Sequence, residues 1–424
     1  MGSDGDALLA RLERCLSPEA WRTLQKAVAL AGRGGLEIYL VGGAVRDLLL
    51  GVGHVDVDLL IEGDAIELAS VLAASEARSR LVRHPRFGTA SVSGEGFHLD
   101  FAMARAERYA RPGVLPVVRP ALLDADLARR DFAINAMALA LAGRAAGRLI
   151  DPQGGQRDLK ARVVRVLHDR SFQDDATRML RAARYAGRLD FKLERRTAWL
   201  LRRDLPYLRA ISGARLRQEF ERIVAEPKLA AVLRIAGKLG VLVAAHPALR
   251  VGPPELRAAG RIGESSPRDE VLFCLLLSGA SSQKAKGAIE RLALTGRQAE
   301  AVRGLLALER NEKKLARAPL RHSEAARLLE PYPVAAIEAF ALLTPERLAA
   351  RRARRYLDEW RSMHSHLDGR DVEALGVARG PRIGKALALL RDARLDGRTK
   401  TREDEMDLVR RMTRRGSRMG AAGG

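Results

Sequence analysis

The sequence predicts an α+β architecture, a mixed head of about 155 residues followed by an all-helical remainder. Three observations carry this. Short β-rich runs bounded by glycine, LEIYLVGG at 36–43, VDVDLLIEG at 55–63 and FGTASVSGEGFHLDFAMAR at 87–105, all precede Asp151-Pro152. From about residue 172 such runs nearly vanish, and helical patterns continue between breaks at Pro227, Pro253-Pro254, Pro319, Pro331 and Gly380-Pro381. Hydrophobic residues make up 47% of the 424, enough for real cores, which excludes disordered and collagen-like chains.

Taken in order, residues 7–33 read as helical, with Leu8, Leu9, Leu12, Leu16, Leu24 and Val28 at broadly helical spacing before the Gly32-Arg33-Gly34-Gly35 break. LEIYLVGG then reads as a strand, AVRDLLLG (44–51) as a helix and VDVDLLIEG as a second strand. Residues 87–105 predict two strands joined by a glycine-containing turn, followed by a proline-rich loop at 111–121. An amphipathic helix is expected from about Asp124 to Leu141. The remainder reads as helical hairpins of uneven length without a clear period, ending in a frayed basic tail, RRMTRRGSRMGAAGG.

No stretch approaches the roughly 20 apolar residues of a spanning helix, and the acidic start MGSDGDALLARLER lacks the charge order of a signal peptide. Cys15 and Cys274 are too few for a disulfide framework or a cysteine-rich zinc site, so a cytoplasmic location is expected. Lys and Arg number 74 against 52 Asp and Glu, a net charge of +22, and 63 of the 74 are arginine. Arginine's planar fork suits phosphates and base edges, so the excess points to a polyanionic partner.

Four groups carry chemistry. In Gly42-Gly43-Ala44-Val45-Arg46-Asp47 a strand ends in two glycines at a helix start, where backbone amides can approach a phosphate and Arg46 can reach it. Asp56 and Asp58 stand at i and i+2, on one face of a strand, where two carboxylates repel unless a hard cation such as Mg²⁺ joins them. Asp100, near the end of a later strand, is a candidate third acid. In Arg129-Arg130-Asp131-Phe132-Ala133-Ile134-Asn135, the polar residues Arg130, Asp131 and Asn135 interrupt an apolar helix; alone they would make a helix cap. Last, Asp175, Arg178, Arg181 and Arg184 recur every three residues, a stripe with too few acids to neutralise it, which favours an anionic ligand.

With these groups in this order, the chain resembles the bacterial-type (class II) tRNA nucleotidyltransferase/poly(A) polymerase family, and within it most the CCA-adding enzymes. The likeness runs through LVGGAVRDLLLG, DVDLLIEG, RRDFAINAMAL, DPQGGQRDLKARVVRVL and FQDDATRMLRAARYAGRLDF, strongest over 36–195. It implies a polymerase-β-like head at 1–155, a helical neck at 156–225, a body at 226–320 and a tRNA-binding tail at 321–424. It further implies that Gly43 and Arg46, in the turn begun by Gly42, hold a nucleoside triphosphate and that Asp56 and Asp58 bind Mg²⁺; Asp100 stays a candidate further catalytic acid from its place on the later strand. Arg130 would contact the nucleotide, with Asp131 near the ribose and Asn135 beside them. Asp175 and Arg178 would read the incoming base, and Arg181 and Arg184 would complete the nucleotide site. Where many relatives carry Glu-Asp, this chain has Asp174-Asp175. The stretch Arg105–Pro120 is similar to the family's mobile loop, which CC-only members lack. His168-Asp169 reads as structural, because the further histidines of a phosphohydrolase site are missing.

Chemistry supports the base-reading role. An ionised Asp only accepts hydrogen bonds and Arg only donates. Cytosine and adenine each offer an exocyclic amino donor beside a ring acceptor, whereas G and U present a carbonyl where the Asp wants a donor. The expectation is a Mg²⁺-dependent enzyme that extends the 3′ end of tRNA from CTP and ATP. The alternatives are an A-adding-only enzyme or a poly(A) polymerase, and more remotely a catalytically silent RNA-binding protein. Oligomeric state is left open.

Overall fold

The structure, a computed structural model, describes residues 3–53, 55–111, 113–114, 116–142, 145–264 and 266–420. His54 of the acidic motif, Pro112 and Leu115 of the proline-rich loop and the last four residues of the basic tail lie outside the described residues. The chain divides into two compact units, Met1–Ala245 and His246–Gly424.

In the first unit, α1 (Ser3–Cys15) and α2 (Pro18–Arg33) precede β1 (Glu37–Val41) and α3 (Gly43–Leu50). The single helix expected over 7–33 is thus two, because Ser17 caps α2 with its hydroxyl and Pro18 takes the first helical position. Next come β2 (Val57–Glu62), α4 (Ala65–Ser75), β3 (Arg80–His84), β4 (Thr89–Gly94), β5 (Phe97–Met103), β6 (Arg105–Arg108) and β7 (Val117–Pro120). After α5 (Leu123–Ala128) the chain forms β8 (Ala138–Ala140) and β9 (Leu149–Ile150). The strand order is β3-β4-β5-β2-β1-β8-β9, with β2 and β5 parallel and the other neighbours antiparallel. Tyr39, Val41, Leu60, Leu123, Leu127, Ala138 and Ala140 form a core against this sheet.

Two expectations fail here. Helix Asp124–Leu141 stops at Ala128, because Arg129 and Arg130 fold back onto Asp126, Phe132 bridges to Val166, and Ala138–Ala140 pairs with β1. A run buried on both faces, such as Ala136–Ala140, has no period to separate strand from helix. The proline-rich loop is also partly ordered as β7, paired with β6 in a separate hairpin, with Pro120 at its end where no ladder donor is lost.

Helical structure then takes over: α6 (Gly155–Ala161), a short β10 (Val163–Val164), α7 (Ser171–Asp174), α8 (Arg178–Leu189), β11 (Lys192–Leu193), α9 (Arg195–Asp204), α10 (Gly213–Val224), α11 (Leu229–Leu239) and α12 (Val241–Ala245). The expected stripe from Asp175 to Arg184 does not lie on one helix. Asp175 is extended, at φ −141° and ψ 102°, just before α8.

The second unit is helical: α13 (Pro253–Ala259), α14 (Arg268–Leu277), α15 (Ser282–Arg291), α16 (Gly296–Ala316), α17 (His322–Leu329), α18 (Val334–Leu343), α19 (Arg347–Arg355), α20 (Gly369–Ala374), α21 (Pro381–Leu395) and α22 (Arg402–Gly420). Its main core joins α14, α16 and α18 through residues such as Phe273, Leu305 and Phe340. A smaller core of Leu367, Val372, Ala386, Leu390 and Val409 holds α20, α21 and α22. No described helix is long and apolar enough to cross a membrane.

Helix α8 is held against α11 at Gly187, where an added Cβ would lie 2.6 Å from Val232 Cα and 2.7 Å from its amide nitrogen. Backbone cannot move aside as a side chain can. Gly187→Val should therefore destabilise the first unit by about 1–3 kcal/mol, read as a lower urea midpoint for its unfolding.

Candidate active site

Strand β1 runs into Gly42, whose φ of 71° and ψ of −126° only glycine adopts readily. A Cβ there would also meet Arg130 Nη1 at 2.6 Å. The turn thereby lets the RRD motif lie against the start of α3. Arg46, one turn into α3, is only 2% exposed. Its Nε and Nη2 each donate to the Asp47 carboxylate at 2.8 Å, and Nη1 donates to Asn135 Oδ1 at 2.6 Å.

The RRD motif continues this network. Asn135 Nδ2 donates to Asp131 Oδ1 at 3.0 Å, and the Phe132 amide donates to the same oxygen at 2.9 Å. Asp131 Oδ2 accepts Arg181 Nε and Nη2 at 2.8 and 2.5 Å. Burial alone would raise the Asp131 pKa, but Arg181 and Asn135 overcome it and hold the group down at about 2. Arg130 Nε and Nη2 donate to the buried Asp126 at 3.1 and 2.9 Å, which leaves Nη1 beside the Gly42 turn.

Asp58 and Asp100 lie on the sheet, while Asp56, expected on the same strand, falls one residue before it. Asp58 stands directly beside Asp100 in the β2–β5 register. Asp100 accepts from the Ser91 hydroxyl. Desolvation, then the charges of Asp100 and Asp56, push Asp58 up to about 6. Mutual repulsion of this kind is what a divalent cation relieves. Among the described residues no three carboxylates, histidines or cysteines form a ready-made cage. Two carboxylates with substrate phosphates suit Mg²⁺ better than such a cage does.

The fourth group frames the far wall. Asp175 Oδ1 accepts from the Thr177 amide at 3.0 Å, the Thr177 hydroxyl at 2.8 Å and Arg215 Nη2 at 2.9 Å. Arg178 Nη1 donates to Ser171 Oγ at 2.8 Å, and Nη2 to the Arg129 carbonyl at 2.7 Å. Arg184 pairs with Glu226 at 3.0 Å. The Tyr185 ring lies beneath three guanidinium carbons, Arg184 at 4.6 Å, Arg46 at 5.2 Å and Arg181 at 5.5 Å.

One cleft of about 650 Å³ joins all four groups. It is lined by every sequence-predicted site residue except Asp100, which sits on the sheet beside Asp58. Ten arginines face it against seven carboxylates, an excess suited to a triphosphate. Sequence reasoning missed the α10 face, where Arg215, Gln218, Glu219 and Arg222 line the cleft at helical spacing. That spacing was readable, but such a polar stripe looks like a solvated surface. It also missed Glu107 and Tyr109 of the β6 hairpin. Glu107 Oε1 accepts Arg129 Nη1 at 2.7 Å and Arg105 Nη2 at 3.2 Å, while its Oε2 accepts the Tyr109 hydroxyl at 2.8 Å.

A family model described as the poly(A) polymerase head domain matches residues 38–165, and one described as a probable RNA and SrmB-binding site of polymerase A matches 190–251. A CC-adding tRNA nucleotidyltransferase of Deinococcus radiodurans is 34% identical over 417 residues, covering 96% of each chain. The chain belongs to the tRNA nucleotidyltransferase/poly(A) polymerase family. Another member, an A-adding tRNA nucleotidyltransferase of Geobacter sulfurreducens, is 34% identical over 89% of this chain and 45% of its own. The chain spans about half or less of the length of the A-adding members it matches. A solved CCA-adding enzyme of the family in an apo form superimposes with a TM-score of 0.78 at 30% identity, covering 96% of this chain and 98% of that one. Other solved members with this fold are complexes with CTP, with ATP and, from Thermotoga maritima, with tRNA.

The Asp131–Arg181 pair gives this family member a pH signature. With a folded pKa near 2 and an unfolded value of about 3.9, Asp131 contributes stability that is present above about pH 4 and lost as pH falls towards 2. The contribution is on the order of 2 kcal/mol. The stability gap between wild type and Asp131→Asn should therefore narrow over that window in urea unfolding, and a constant gap would refute the assignment.

Proposed function

We propose that the chain extends the 3′ end of tRNA with C and A residues, transferring nucleotidyl groups from CTP and ATP and releasing pyrophosphate. The observation that carries this is one cleft combining a Gly-Gly phosphate turn, paired strand acids and an Asp/Arg pair. Gly42, Gly43 and the arginine wall would seat the triphosphate, with Arg130 held by Asp126 beside the turn. Asp131, fixed by Arg181 and Asn135, would face the ribose. Asp175 Oδ1 is occupied by Thr177 and Arg215, which leaves Oδ2 to accept the exocyclic amino group of C or A. Arg178 would donate to the ring acceptor.

Asp56 and Asp58, with Asp100 adjoining, would hold Mg²⁺; when bound, the metal lowers the barrier by activating the 3′-hydroxyl and stabilising the leaving pyrophosphate. The basic helices would hold the RNA by phosphate and shape. We assign head, neck, body and tail to 1–155, 156–225, 226–320 and 321–424, and place the reaction in the cytoplasm. A second reading, addition of A alone, is favoured by the likeness to the A-adding Geobacter protein. The hairpin β6–β7 supports both readings over CC addition, because it occupies the loop that the resemblance ties to enzymes able to add A.

Incubation with tRNA ending at the discriminator base, at C or at CC, with CTP or ATP, followed by sequencing of the products, separates these readings. Full CCA addition should use all three substrates, while an A-only enzyme should extend the CC end alone. Asp58→Asn should abolish transfer in Mg²⁺ while tRNA binding, read by filter retention, stays close to wild type. Asp175→Ala should lower use of CTP and ATP while relaxing rejection of UTP and GTP, reducing selectivity about ten- to a hundredfold. Equal slowing of all four nucleotides would reduce Asp175 to a structural role.

A further inference from the structure

We propose that Tyr109 is the stacking surface for the incoming nucleobase, held at a fixed position relative to Arg178. The inference rests on the reading of Asp175 and Arg178 as base-edge contacts and adds the face that those contacts leave open. An edge held by two side chains still pivots unless a ring face lies against it, and stacking on an aromatic side chain serves every base alike.

Three aromatic rings line the cleft, those of Phe87, Tyr109 and Tyr185. Tyr185 is taken, with three guanidinium groups around its ring and Phe132 packed edge-on at 5.8 Å. Phe87 has the Arg86 guanidinium over it at 5.7 Å. The half-buried Tyr109 ring has neither a ring nor a guanidinium partner among the described residues. Its hydroxyl, by contrast, is firmly held. It donates to Glu107 Oε2, Glu107 Oε1 accepts Arg129 Nη1, and the Arg129 carbonyl accepts Arg178 Nη2, at 2.8, 2.7 and 2.7 Å. A rigid hydrogen-bonded path thus connects the free ring to the edge reader. Burial, then Glu107, push the Tyr109 hydroxyl well above its ordinary value, so it remains a donor at neutral pH.

The test compares Tyr109→Ala and Tyr109→Phe in the full chain and measures KM for ATP with tRNA ending in CC and KM for CTP with tRNA ending in C, together with binding of ribose 5-triphosphate, which lacks a base. Tyr109→Ala should raise both nucleotide KM values about tenfold without altering preference among the four bases. Ribose 5-triphosphate should bind this variant as it binds wild type. Tyr109→Phe, which keeps the ring, should stay within about threefold of wild type in KM. The proposal is overturned by wild-type KM values in Tyr109→Ala, by Phe being as damaging as Ala, or by an equal loss of ribose 5-triphosphate binding. Failure of the edge reading shows separately, as unchanged base preference in Asp175→Ala.

Discussion

The first unit is organised around the carboxylate of Asp131. One oxygen takes Asn135 and the Phe132 amide, and the other takes Arg181. Through Asn135 the network reaches Arg46, through Arg46 it reaches Asp47, and Asp47 also accepts Arg188 at 3.2 Å. A single buried chain of charge-assisted hydrogen bonds therefore links the glycine turn, the RRD motif and helix α8, segments more than 130 residues apart in sequence at the extremes. Removing one member strands its neighbours without water, so the three segments hold their geometry together or lose it together.

This network also divides the arginines into two kinds. Arg46 and Arg184 are buried with carboxylates, and both guanidinium groups lie over the Tyr185 ring. Both line the cleft, so those pairings fix their positive charge in its wall. Arg130 and Arg215 keep part of their surface in the cleft while a single carboxylate orients each one. A guanidinium suits both uses because it donates in several directions and stays charged when desolvated.

Much of this was legible in the sequence. The glycine turn, the pair Asp56 and Asp58 and the arginine spacing each followed from elementary chemistry, and those groups do line one cleft. What failed was local conformation at the RRD motif and at Asp175. Ala136–Ala140 is buried on both faces, so composition could not tell strand from helix. The extended Asp175 reflects one local demand, the amide and hydroxyl of Thr177 two residues on, and one distant demand, Arg215 forty residues on, and hydrophobic periodicity encodes neither. The α10 contribution was hidden for another reason: whether a polar helix face meets water or a cleft depends on what packs opposite.

The Glu107 carboxylate has a consequence for how the hairpin can change over generations. It pairs with both Arg129 and Arg105, and Arg129 in turn supplies the carbonyl that seats Arg178. Shortening the hairpin past Glu107 deletes one negative charge and leaves two guanidinium groups, each only partly exposed, with less to hold them. Such a deletion is not a simple loss of loop. A lineage that accepts it must re-pair or replace an arginine in the adjoining motif, so hairpin length and the residue at position 129 are expected to change as a linked pair.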